Sequence, residues 1–152
     1  MSGDTSSVPA TPDELTPEWL GERIGTSIDS IEVQPIGVGE GFMGQLARVV
    51  VSSDDPSAPE SLILKLPTAD PGGRAIGEMM RVWEREHRFY SEVAPSISVR
   101  VPRAYVNEAD PPCLILEDLA ETTATNAADP VVALSIGPLG PAGNHGSVAG
   151  SP

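Results

Sequence analysis

Apolar and polar positions alternate along three stretches of the first half of the chain: Ser30 to Gly37, Leu46 to Val51, and Ser61 to Leu66. A period of two in segments rich in Val, Ile and Leu predicts β-strands. Ahead of them, Thr16-Pro17-Glu18-Trp19-Leu20 reads as a helix start, with Thr16 as N-cap, Pro17 in the first turn and Glu18 at the positive end of the helix dipole. A short helix to about Ile24 follows. Ser52-Ser53-Asp54-Asp55-Pro56 turns the chain between the second and third strands, and Pro67 with Asp70-Pro71-Gly72-Gly73 ends the third.

From Ala75 to Val93 the period changes. Ile76, Met79, Met80, Trp83, His87 and Tyr90 fall on one helical stripe, with Glu78, Arg81, Arg85, Arg88 and Glu92 opposite. This predicts one long helix, closed by Pro95. Two further strands follow, Pro102 to Asn107 and Pro112 to Asp118, joined by a turn at Ala109-Asp110-Pro111. The order is helix, three strands, long helix, two strands, an α+β arrangement. Residues 1–14 and 120–152 lack this patterning, and six of the sixteen prolines and six of the fifteen glycines fall in them. Both read as disordered, a leader and a tail around a single patterned domain at 15–119.

Lys65 is the only lysine, set in the middle of Leu62-Ile63-Leu64-Lys65-Leu66. Two readings fit. An edge-strand lysine sends its ammonium to water and lays its stem on apolar surface. A lysine inside the sheet needs a carboxylate or an anionic ligand, because an unpaired buried charge costs several kcal/mol. Upstream, Gly39-x-Gly41-x-x-Gly44 lies between the first two strands. Missing side chains there let backbone N–H groups approach phosphate oxygens. The same spacing occurs in dinucleotide folds, but those place a helix next, whereas here a strand follows and leads to Lys65. The context favours a loop folded over phosphates within a hairpin.

Charge narrows the ligand. The net charge is −13, and every basic residue lies between Arg23 and Arg103. That argues against a nucleic-acid or anionic-membrane surface and confines any anion site to the patterned domain. Cys113, the single cysteine, sits in an apolar run, which predicts a buried reduced thiol and a cytoplasmic protein. No stretch reaches the eighteen apolar residues of a membrane span, and the N-terminus has no apolar signal core.

At about 100° per residue, Glu86 projects into the apolar stripe among Met79, Val82, Phe89 and Tyr90. A carboxylate pointing inward wants a cation: either Lys65, held ready for phosphate, or a neighbouring arginine at the helix surface. His87, Trp19 and Trp83 read as packing residues.

The glycine loop, the strand lysine, Glu86-x-x-Phe89-Tyr90 and Leu114-Ile115-Leu116-Glu117-Asp118-Leu119 together resemble the aminoglycoside phosphotransferase and choline-kinase-like superfamily, and within it the ecdysteroid-kinase-like branch. The resemblance covers Leu15 to Leu119. It implies a protein-kinase-like N-terminal lobe, a five-stranded antiparallel sheet with one large helix, that binds ATP with magnesium. By the same resemblance Gly39, Gly41 and Gly44 cover the phosphates, Lys65 contacts the α and β phosphates, and Glu86 orients Lys65. Leu116, Glu117, Asp118 and Leu119 form the hinge whose backbone meets adenine, with Leu116 near the gatekeeper position and Ile36 or Leu64 as walls.

Phosphoryl transfer in the superfamily also needs an Asp base, an Asn and a magnesium-binding Asp from a second lobe. Past the hinge the chain offers only Glu121 and Asp129 as acids. The sequence therefore reads as the nucleotide lobe of a small-molecule phosphotransferase, interrupted by a truncation or frameshift near Ala120 and inactive alone. The alternative is a non-catalytic interaction or pseudokinase module whose partner is a second chain supplying the missing lobe.

Overall fold

The computed structural model describes residues 7–37 and 44–120. The glycine loop from Val38 to Met43 and the tail from Glu121 lie outside the described residues. Five strands, β1 (Ser30–Pro35), β2 (Gly44–Ser52), β3 (Ser61–Pro67), β4 (Ala104–Ala109) and β5 (Pro112–Glu117), form one antiparallel sheet in the order β1-β2-β3-β5-β4. This is the five-stranded α+β lobe that the pattern of the sequence predicts.

Alternation divides the sheet into two faces. Ala47 and Val49 of β2, Leu62, Leu64 and Leu66 of β3, Val106 of β4 and Ile115 of β5 are buried in one core with Leu15, Trp19 and Leu20. The last two belong to helix α1 (Pro17–Ile24), which starts where the sequence says. The Thr16 hydroxyl accepts from Trp19 N at 3.1 Å, and Gly25 ends the helix at φ 74°, a left-handed turn that suits glycine.

The leader differs from the expectation of disorder. Pro12–Glu14 form a 3₁₀ turn, Gln45 Nε2 donates to the Ala10 carbonyl at 3.0 Å, and Val8 packs against the core. Apolar anchors at Val8 and Leu15 hold a Pro-rich segment that composition alone marks as unstructured.

The predicted long helix is broken. Helix α2 (Pro71–Met79) begins earlier, because Asp70 caps it by accepting from Gly73 N at 2.7 Å with proline in the first turn. It ends at Met80 and Arg81, where Arg81 takes φ 54°. Helix α3 (Val82–Arg88) follows, then a π turn (Phe89–Val93) and a 3₁₀ turn (Ala94–Ser96). The break resets the helical phase, so Ile76, Met79 and Met80 stay exposed, and the buried positions of α2 are Gly73 and Gly77. No helix among the described residues is long and apolar enough to cross a membrane.

Candidate functional site

Lys65 stands on β3, a central strand with β2 and β5 on either side. It is therefore no edge lysine. Its neighbours Leu64 and Leu66 point into the core, so Lys65 projects from the opposite face. Cross-strand partners share a face, and pairing places Leu46, Lys65, Leu114 and Asn107 in one row running from β2 through β3 and β5 to β4. Helix α3 lies over that row.

From α3, the Glu86 carboxylate accepts a charge-assisted hydrogen bond from the Lys65 ammonium. The pair is half-buried, with 37% of the lysine and 28% of the glutamate side chain exposed. Glu86 pairs with Lys65 rather than with an arginine of its own helix. Arg81 turns instead to Glu84 and Arg88 to Glu92. One helical turn after Glu86, Tyr90 meets Phe89 edge to face at 5.1 Å. Burial, and secondarily the Glu86 charge, raise its phenol above the usual range.

Lys65 and Glu86 open into a cavity of about 590 Å³ between the sheet and helices α2 and α3. Gly44 lies at its β2 end, where an added β-carbon would come within 3.3 Å of the Leu66 carbonyl oxygen. Leu46, Ile76, Met80 and Trp83 supply apolar wall. The volume falls within the range of small-molecule sites. Among the described residues, Lys65 is the only lysine or arginine lining the cavity, so an anion entering it meets a single ammonium already oriented by a carboxylate.

Of the nine residues expected at the site, the structure brings Gly44, Lys65 and Glu86 to this cavity. Gly39 and Gly41 lie outside the described residues. The hinge positions are held elsewhere, further along β5 from the Lys65 row. Leu116 is buried beside Ile63 in register. Glu117 accepts from Arg100 Nη2 at 2.9 Å, and its amide donates to the Arg103 carbonyl at 2.8 Å. Asp118 is buried and accepts from Arg48 Nε at 2.7 Å and Ser61 Oγ at 2.9 Å. Leu119 lies just past Asp118, outside β5 and away from the cavity lining. Leu64 is no wall of this cavity, because it is fully buried in the core on the face opposite Lys65.

Sequence reasoning missed the link between His87 and Asn107, both of which line the cavity. His87 Nδ1 is 2.7 Å from Asn107 Oδ1, and Asn107 Nδ2 donates to the His87 carbonyl at 3.0 Å. The one signal in the sequence is a polar Asn following the core-facing Val106. Trp19 is a core residue as expected, and Trp83 lies over Gly77. Among the described residues, no group of three or more His, Cys, Asp or Glu is placed to hold a metal ion.

The model of the ecdysteroid kinase-like family matches residues 38–131, more than half of the chain. No curated protein and no solved structure matches it.

Proposed function

The chain belongs to the ecdysteroid kinase-like family, and from that premise we propose that it is the nucleotide-binding lobe of a phosphotransferase acting on a hydroxyl of a small molecule. The observation that carries this reading is the Lys65 ammonium, set by Glu86 in the wall of a cavity large enough for a ligand. When bound, ATP with magnesium supplies the transferable γ-phosphoryl group. Lys65 holds the α and β phosphates, Glu86 fixes the ammonium, and the backbone at Gly39, Gly41 and Gly44 covers the phosphate oxygens. By the family resemblance, adenine would meet the backbone of Leu116 to Leu119 further along β5, at groups other than the Glu117 amide, which the Arg103 carbonyl already holds. Positioning and charge stabilisation dominate this class of reaction, and these residues provide both for the nucleotide half. A buried thiol at Cys113 suits a cytoplasmic location.

Titration calorimetry with magnesium-ATP tests the reading. Wild type is expected to bind, and Lys65→Ala to lose at least about tenfold in affinity, the order expected for one charge-assisted contact. Equal affinities in the two proteins would overturn it.

A second reading, a non-catalytic module that docks a partner chain, is favoured by Ile76, Met79 and Met80, whose side chains stand exposed on and just after α2. Sedimentation as a strict monomer at high concentration, with no change on replacing Met79 and Met80 by Ser, would count against self-association through this surface.

A further inference from the structure

We propose that Asn107 and His87 are positioning residues: together they lock α3 onto β4 and so keep Glu86 against Lys65. This deepens the nucleotide-lobe reading and rests on it for its functional meaning.

Helix α3 has little of its own to hold it. It spans seven residues, follows a residue at φ 54°, has no side-chain N-cap and contains no fully buried residue. Even with the π turn that continues it, a helical stretch this short is not stable in water by itself, so its place is set by its contacts, the Trp83 ring on Gly77 and its ties to the sheet. Two consecutive residues tie it to the sheet. Glu86 reaches Lys65 and His87 reaches Asn107, and both targets belong to the single cross-strand row in which Leu114 separates them. The attachment points are two strand spacings apart, about 10 Å. The Trp83 ring on Gly77 holds the start of α3 against α2, but near Glu86 a single bond to the sheet would leave the helix able to turn about it. Two fix its rotation over the sheet.

The Asn107 end suits that task. Its amide is fixed at both atoms, the oxygen facing His87 Nδ1 and the nitrogen donating to the His87 carbonyl. With the amide oriented in this way, Nδ1 carries the proton and donates. The carbonyl lies two residues before the π turn begins at Phe89, and Ser91 Oγ also donates to it at 3.0 Å. The link therefore grips both the side chain and the backbone of the residue next to Glu86.

The test uses the lone lysine. Lysine-selective ¹⁵N labelling gives one side-chain ammonium signal, from Lys65, read without nucleotide. Glu86→Gln defines the signal of an unpaired Lys65. Asn107→Ala and His87→Ala are expected to move the wild-type signal towards that position. His87→Asn, whose amide nitrogen takes the place of Nδ1, should stay near wild type. In the Glu86→Gln background, Asn107→Ala should move the signal no further. A folded Asn107→Ala protein with the wild-type signal, or an equal shift in both backgrounds, would overturn the proposal. Should Asn107→Ala fail to fold, Asn107→Asp carries the same test, because it keeps the acceptor for Nδ1 and loses the donor to the carbonyl. Magnesium-ATP affinity of Asn107→Ala, expected to fall about tenfold, is measured separately. Absence of ATP binding by wild type sinks the nucleotide reading and leaves the ammonium result intact, whereas an unmoved ammonium beside normal ATP binding sinks only this proposal.

Discussion

The indole of Trp83 occupies the space into which a β-carbon on Gly77 would project: that carbon would lie 2.7 Å from Cζ2, well inside contact distance. The ring of α3 packs there directly on the backbone of α2. Gly77→Ala gains about 1 kcal/mol of helix propensity but overpacks the contact at a cost of about 1–3 kcal/mol. The expected outcome is a net loss of up to about 2 kcal/mol in urea unfolding, together with a shift in Trp83 emission as the ring leaves its seat. An unchanged spectrum would show that the ring does not rest on Gly77.

Leu64 and Met79 are both apolar, and only one of them holds the fold. Leu64 has no exposed surface, whereas Met79 is 77% exposed. Leu64→Ala should cost about 2–5 kcal/mol, and Met79→Ala should stay within about 0.5 kcal/mol. Urea midpoints of the pair check this directly. Similar losses in the two would restore the single long helix with Met79 on its buried side.

Arg48 anchors the end of β5. Its guanidinium bonds the buried Asp118 carboxylate, which Ser61 also holds. Arg48→Met keeps the aliphatic stem and removes the charge, leaving the carboxylate short of a donor. The expected loss is about 1–3 kcal/mol, the size of a hydrogen bond to a charged group. A smaller loss on adding salt than in its absence would place the pair in screened solvent instead.

Cys113 is pushed up from 9.0 to about 12, first by burial and then by the Glu108 charge, against an opposing effect of Arg23. The folded state thus favours the neutral thiol. That preference contributes its full stability below the unfolded value of 9.0 and is lost as pH rises towards about 12. Wild type should therefore lose stability relative to Cys113→Ala across this window, and its thiol should stay unreactive to iodoacetamide at neutral pH until the protein unfolds. Parallel stability curves for the two proteins would contradict this.

The strands were legible because alternation at Ala47, Val49 and Leu62, Leu64, Leu66 leaves one assignment of faces, and α1 because Thr16 and Pro17 announce it. For Glu86 the sequence leaves two partners, Lys65 or an arginine of the same helix, and only the packing of α3 over the Lys65 row decides between them. The break at Arg81 could not be read. Arginine carries no signature for a left-handed backbone, and the apolar period runs straight across it, so the pattern puts Met79 inward while the true inner positions, Gly73 and Gly77, have no hydrophobicity to reveal them. The tie between His87 and Asn107, like that between Arg48 and Asp118, joins residues far apart in sequence, and only the register of the sheet brings them together.

With one lysine in the chain, the side chain proposed to grasp phosphate is also the sole side-chain amine. Coupling through amines, whether to a sensor surface, a fluorophore or a crosslinker, has only this group and the α-amino terminus to choose between. A sample immobilised through Lys65 carries its own inhibitor, and a blank sensorgram from it would report the chemistry of attachment, not the affinity of the protein. Capture through an introduced tag keeps the ammonium available.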